Sequence, residues 1–395
     1  MATATSLDRR RRNGPTGLRD YDRTSSKKAP MDLPYLLLVL LLLGIGVIMV
    51  LSASYASAYY DIGNITGGNP THYFLRQALF AGLGILAMLA TSRFPSSFYR
   101  RIALPLMGGT LILLLLVPII GVRAGGATRW LSLGFTTFQP SEFAKAAVVI
   151  LFAHMACVYK DKMRSFRYGV LPFALVLIPI IGLLYLQPHL SAIVIITGTG
   201  AAMMFLGGTH LIWFIGGIGG LAGLGVLLVN RMGHAMPRII AWQNPYADPQ
   251  GMGWQIRQSL YAIGSGGALG LGLGQSRQKY LYLPEEHNDF IFAIVAEELG
   301  FVGAAFILFL FALLIIRGYW IALHAKTKFA SLLAAGMTTL LAIQVFLNVG
   351  VVTNLLPPTG ISLPFFSYGG TALLFQLVCM GTVLGVSREI PAKEA

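Results

Sequence analysis

Asp289 lies in the segment EEHNDF, immediately before a long apolar run. From that position an acid can do one of two things. It can cap the helix that starts there, accepting hydrogen bonds from the first unpaired amides and staying ionised in the helix dipole. It can instead serve as a general base at a membrane surface, where partial desolvation opposes the dipole and moves the pKa upward. Capping is the commoner use of such a residue, and the two roles can coincide.

Other ionisable groups in apolar surroundings are few, and in a bilayer such groups are costly enough to carry functional hypotheses by default. Glu142 and Lys145 lie in QPSEFAK. Pro140 suits the first turn of a helix and Glu142 its third position, so an i,i+3 ion pair that orders a helix start stands against a part in ligand binding. At about 100° per residue, Glu297 is turned about 80° from Asp289 and Glu298 about 180°, so these adjacent acids cannot share one task. Glu298 is expected to pair with a basic or polar group of another span, and Lys145 is the candidate lysine at membrane depth.

The glycine run Gly264–Gly274 lacks the lysine of a phosphate loop and is no dinucleotide fingerprint. Arg257 precedes it and Arg277 and Lys279 follow, so exposed amides and cations could meet phosphate oxygens near the lipid surface; a solvated loop is the alternative. Arg129-Trp130 in GATRWLSLG reads as an interfacial cation beside an aromatic anchor. The segment NLLPPTGISLPFFSYGG holds three prolines, which break helix. Ordered non-helical backbone at membrane depth survives only where protein or a water-filled cavity covers it, so a cavity is expected on that face. No His, Cys and carboxylate cluster has metal spacing and no serine nucleophile elbow is present, so no metal site is expected. Cys157 and Cys379 fall in apolar stretches and offer no disulfide framework.

These groups need elements to position them, and the composition says of what kind. The chain has 395 residues, 55% hydrophobic and 11% charged, whereas a soluble domain carries about 25% charged residues. Stretches long enough to cross a bilayer recur at 34–53, 73–92, 102–121, 141–158, 169–186, 190–207, 210–229, 290–316, 329–351 and 367–386. The expected fold is all-α: a polytopic membrane protein of about ten transmembrane helices. With the N-terminus cytoplasmic, the inside segments hold 20 of the 29 Lys and Arg, the outside segments hold seven, and Arg76 and Lys145 fall at or within spans. Both termini are therefore expected in the cytoplasm. The same distribution accounts for the formal charge of +14 without nucleic acid.

Residues 1–32 form a basic tail expected to be disordered, with Arg9–Arg12 as a topology and lipid-surface signal, and no cleavable signal peptide precedes the first span. Residues 33–388 form one membrane domain and 389–395 a short cytoplasmic tail. Within the domain, residues 230–289 make a large extracytoplasmic loop between the seventh and eighth helices, rich enough in apolar and aromatic residues to be ordered. Gly216/Gly220 and Gly219/Gly223 have helix-packing spacing, and the sequon at Asn64 carries little weight.

Taken together, RWLSLG with FQPSEFAK, LQPHLS, QSLYAIGSGG with GLGQSRQKYLYLPEEHNDFIFAIVAEELG, and SLPFFSYGG, in this order and topology, resemble the SEDS family of FtsW, RodA and SpoVE. The resemblance covers about residues 33 to 388 and is nearest to FtsW and SpoVE. It implies a peptidoglycan glycosyltransferase of the bacterial cytoplasmic membrane, acting at the septum or in sporulation, that polymerises lipid II with undecaprenyl pyrophosphate leaving. Asp289 matches the essential Asp of H-x-D-F, which is thought to activate the acceptor hydroxyl. Such a base with an α-linked donor fits a single inverting displacement.

Glu142, Lys145 and Glu298 match a polar network within the membrane. Arg129, Arg257 and Lys279 match basic positions assigned here to pyrophosphate, and Trp130, Gln258, Ser276, His287 and Ser367 complete the substrate-facing set. One departure is His189, where many relatives have Asp; it cannot inherit an acid's role. No cofactor is required, with a divalent Mg or Mn as an optional aid to the leaving group. The partners implied are lipid II, a class B penicillin-binding protein, other division proteins and the membrane. A lipid II flippase and a non-catalytic division scaffold are the rival functions.

Overall fold

A computed structural model describes residues 30–60, 66–124, 127–132, 134, 137–217, 235–246 and 251–390. Among them nine helices are long and apolar enough to cross a membrane. Of the expected seventh span, residues 211–217 are helical and 218–229 lie outside the described residues, as do most of the N-terminal tail and Asn64.

The helices are α1 Leu33–Tyr59, α2 His72–Thr91, α3 Ser96–Ile120, α4 Pro140–Tyr159, α5 Leu171–Leu186 and α6 Leu190–Gly207. Two shorter helices, α7 Ala235–Gln243 and α8 Met252–Gly266, precede α9 Ile291–Leu323, α10 Lys328–Val352 and α11 Gly370–Ser387. The bundle is built mainly by α2 on α11, α9 on α10, α3 on α4, α6 on α4 and α10, and α5 on α6 and α3. At its centre stand α10, α11 and α4, 72%, 67% and 61% buried, while α2 at 22% turns most of its apolar surface outward. Such surface is stable only against lipid.

Between α3 and α4 the chain adds a small antiparallel sheet, β1 Val122–Ala124, β2 Ala127–Ser132 and β3 Thr137–Phe138, in the order β1-β2-β3. Arg129 and Trp130 therefore sit on a strand paired on both sides, with Trp130 opposite Val122 and Leu131 opposite Phe138. The sheet, the α5–α6 turn, residues 235–246 and 251–290 and the loop 353–369 gather at one end of the bundle, as helices running alternately up and down require. At the other end Asp32 caps α1 through the Tyr35 amide at 2.9 Å and is itself held by Arg317 at 2.8 Å.

The long helix α9 is broken at Gly300, where φ is +68° and ψ −172°. A break at membrane depth frees two amides and two carbonyls, which must be paired within the protein. The glycine run does this. Phe301 and Val302 donate to the carbonyls of Gly267 and Ala268 at 2.9 and 3.1 Å, while Leu271 and Gly272 donate to those of Glu297 and Glu298 at 3.0 Å each. The approach requires glycine on both sides: a Cβ on Gly270 would lie 2.2 Å from the Glu298 carbonyl oxygen, and one on Gly300 2.2 Å from the Gly270 nitrogen. The run that suggested phosphate binding is thus a patch for an interrupted helix.

Candidate active site

Asp289 does not cap α9. The N-cap position is Phe290 and no side chain caps the helix. The chain makes a further turn first, with the amides of Asn288 and Phe290 both donating to the carbonyl of Glu285, at 3.1 and 3.3 Å. The Asp289 carboxyl is left partly exposed among charges. Its burial, reinforced by the negative charge of Glu285, outweighs the opposing pull of Arg129, Arg238 and His287, and the pKa is pushed up from 3.8 to about 6. Desolvation prevails over the dipole, and the carboxyl is free of the duty that residue type suggests for it.

Three consecutive residues of the proline-rich loop organise the surroundings. The Pro358 carbonyl accepts from Arg238 Nη1 at 3.3 Å, and the Thr359 carbonyl accepts from Ser191 Oγ at the start of α6. Beside Gly360, at φ +71°, a Cβ would lie 3.2 Å from Asp289 Oδ2. Asn348 on α10 joins the pieces by donating from Nδ2 to the carbonyls of Asp289 and Ile361, at 2.8 and 2.6 Å. Arg129 donates to the Pro188 carbonyl.

The expected residues fall in several places, His287 among the charges that act on Asp289. The His287 ring lies against Tyr73, tilted by 34° at 4.7 Å between centroids, and its Nδ1 lies 3.3 Å from Glu286. Ser367 accepts from the Leu363 amide and donates to the Asn288 carbonyl, both at 2.7 Å, so it is a strut beneath the EEHNDF turn and not an open substrate contact. Arg257 lies over the rings of Tyr246 and Trp254 at 5.6 Å each, and Gln258 is buried on the same helix.

Lys279 and Ser276 belong elsewhere. Lys279 Nζ is buried and bonded to Glu298 Oε1 at 3.0 Å, to the Gly274 carbonyl at 2.6 Å and to Ser52 Oγ at 3.3 Å, so its three protons already have acceptors. Glu297 accepts from the hydroxyls of Ser265 and Ser276 and from the amides of Arg277 and Gln278. A cavity of about 350 Å³ opens beside this cluster, lined by Ile48, Leu51, Tyr55 and Tyr280 among others, away from Asp289.

The network expected of Glu142, Lys145 and Glu298 is two separate pairs. Glu142 binds Lys145 at 2.7 Å, an i,i+3 pair at the start of α4, whereas the partner of Glu298 is Lys279, carried back to membrane depth by the loop after the glycine run. Sequence spacing cannot show that return. His189 is buried, with Nε2 3.3 Å from the Gln139 amide nitrogen. Burial together with the charges of Arg129 and Lys145 pushes its pKa down to about 3, so at neutral pH the imidazole is uncharged. Among the described residues no three His, Cys, Asp or Glu side chains gather to hold a metal.

Sequence reasoning overlooked Arg238, Ser191, Gly360 and Asn348. Asn348 carried a signal, a polar residue within an apolar span. Arg238 had only its place in the outer loop.

A family model described as a cell cycle protein, FTSW_RODA_SPOVE, matches residues 33–391. Stage V sporulation protein E of Bacillus subtilis is 42% identical, over 92% of this chain and 99% of its own length. A probable peptidoglycan glycosyltransferase FtsW of Trichlorobacter lovleyi is 40% identical, over 92% and 95%. Among solved structures, a chain from a peptidoglycan synthase complex that coordinates polymerization and crosslinking superposes with a TM-score of 0.76 at 29% identity, covering 91% of this chain and 98% of its own. The crystal structure of the rod shape determining protein RodA of Thermus thermophilus gives 0.67 at 28%, covering 91% and 97%.

Proposed function

Since the chain belongs to the FtsW, RodA and SpoVE family, we propose that it is a peptidoglycan glycosyltransferase that polymerises lipid II on the outer side of the bacterial cytoplasmic membrane, with Asp289 as general base. The observation that carries this reading is the Asp289 carboxyl itself: uncapped, partly exposed, flanked by arginines, with a pKa near 6. Such a group is largely ionised at neutral pH yet holds a proton far better than an ordinary aspartate, as a general base should.

In the reaction the acceptor's 4-hydroxyl oxygen bonds to the anomeric carbon of the donor as its proton passes to Asp289. The bond from that carbon to the pyrophosphate oxygen breaks, and undecaprenyl pyrophosphate leaves with the electron pair. Inversion follows from a single displacement. Arg129, fixed by the Pro188 carbonyl, faces the leaving group's charge. The sporulation protein and the cell cycle description of the family support a role in septal or sporulation wall synthesis. The likeness to a chain of a complex that coordinates polymerization and crosslinking supports a cross-linking partner, which we take to be a class B penicillin-binding protein acting with other division proteins.

The test is conversion of lipid II to glycan polymer by purified protein with its transpeptidase partner. Asp289→Asn should abolish it. Undiminished polymerisation by that variant refutes the assignment of the base, and lipid II movement across a bilayer without polymer favours a flippase.

A further inference from the structure

Arg238 stands on α7, outside the bundle, and has no part in any motif of the sequence. Its Nη1 reaches the Pro358 carbonyl at 3.3 Å. One turn later Trp242 Nε1 donates to the Asn354 carbonyl at 3.1 Å. Residues four apart share a helix face, so both fasten α7 along the loop that borders Asp289. Pro358 and Gly360 are two residues apart, at most about 7.6 Å between their Cα atoms. The carbonyl that anchors Arg238 and the glycine beside Asp289 Oδ2 are therefore neighbours.

Arg129 is held in the same way from β2, by the carbonyl of another proline, Pro188. A guanidinium has five N–H donors, and one hydrogen bond to a carbonyl aims it without exhausting them. The two arginines act on each other as like charges, and both act on Asp289. Asp289 is the carboxylate whose charge acts on both arginines, whereas Glu142 is paired with Lys145. Two guanidinium groups sharing one carboxyl in a partly desolvated place form a site that lacks an anion.

We propose that Arg238 and Arg129 form a clamp that grips the diphosphate of the lipid-linked donor beside Asp289, with β2 supplying one arm and α7 the other. The inference rests on the glycosyltransferase reading of the Asp289 site and names the residue that this reading lacked. When the clamp closes on the diphosphate, its two cations are drawn from Asp289 to the phosphates, and the base takes the acceptor's proton more readily. The arginines thus make deprotonation depend on a donor being in place.

The test uses the full chain with its transpeptidase partner in nanodiscs of zwitterionic lipid, measuring the KM for lipid II and inhibition of polymerisation by inorganic pyrophosphate. Arg238→Ala should raise both the KM and the half-inhibitory pyrophosphate concentration about tenfold, the loss of one charge-assisted contact. Arg238→Lys should recover part of each, and Arg129→Ala with Arg238→Ala should be non-additive.

A lower melting temperature with unchanged KM and inhibition would make Arg238 a structural strap and overturn the proposal. A defect seen only in anionic nanodiscs, with pyrophosphate inhibition intact, would assign Arg238 to phospholipid headgroups and overturn it as well. If Arg238→Ala does not fold, Arg238→Gln and Arg238→Lys answer the same question. A wild-type chain that makes no polymer sinks the function itself, whereas wild-type KM and inhibition in a folded Arg238 variant sink the clamp alone.

Discussion

The side-chain amide of Asn348 donates to the backbone carbonyl of Asp289 at 2.8 Å and to that of Ile361 at 2.6 Å. One group on the most enclosed helix thereby fixes the main chain of the proposed base against the loop that carries Gly360. Replacing it with leucine keeps the branched shape and strands two acceptors, so Asn348→Leu should cost about 1–3 kcal/mol of stability and lower the polymerisation rate. Thermal unfolding in detergent and lipid II turnover measure the two. A variant normal in both would show that the bond does not position Asp289.

Asp289→Asn should lower the rate by a factor of about 10² to 10⁴ without weakening the fold. The sign follows from the raised pKa. Between the unfolded value of 3.8 and the folded value of about 6 the native state binds more protons than the unfolded state. Stability therefore falls as pH rises through that window, and the ionised carboxylate is a burden above it. The neutral amide lifts the burden. A melting temperature at pH 7.5 below that of the wild type would contradict this account.

The same pKa places the acid limb of the pH–rate profile near 6, with activity lost as pH falls through it. Glu285 raises that pKa and Arg129 lowers it. Glu285→Gln should move the limb to lower pH, and the residual activity of Arg129→Ala should show it displaced to higher pH. Values of kcat/KM from pH 5 to 8, taken at lipid II well below its KM, decide the matter, and a limb that stays in place in both variants excludes Asp289 as the titrating group.

Lys279 and Glu298 form a buried pair whose separation costs more than the pair itself contributes. Lys279→Ala should destabilise by about 3–5 kcal/mol, leaving an unpaired acid at membrane depth. The double variant Lys279→Met with Glu298→Gln should be markedly less damaging than the sum of its parts. A double-mutant cycle in chemical unfolding tests this, and strict additivity would dissolve the pairing.

The helical, membrane-spanning class, nine of the ten expected spans and the place of Asp289 just before a long apolar helix were legible because apolar length and a border acid are local properties of the chain. What was not legible came from the chain returning on itself. Lys279 is separated from Glu298 by a turn and a helix start, and nothing in spacing tells that it lies within 3.0 Å of it. The capping expectation for Asp289 failed because one more turn intervenes before α9. Arg238 had no signal of its own, since its role depends on a proline carbonyl more than a hundred residues away.

The break at Gly300 bears on how the protein is made. Alone in lipid, α9 would expose two amides and two carbonyls, at several kcal/mol each, until residues 267–272 dock against them. That loop is synthesised before the helix it completes. Insertion of α9 and docking of the loop are therefore one event, and a nascent chain that has lost either glycine should stall at the translocon or be degraded, before any question of catalysis arises.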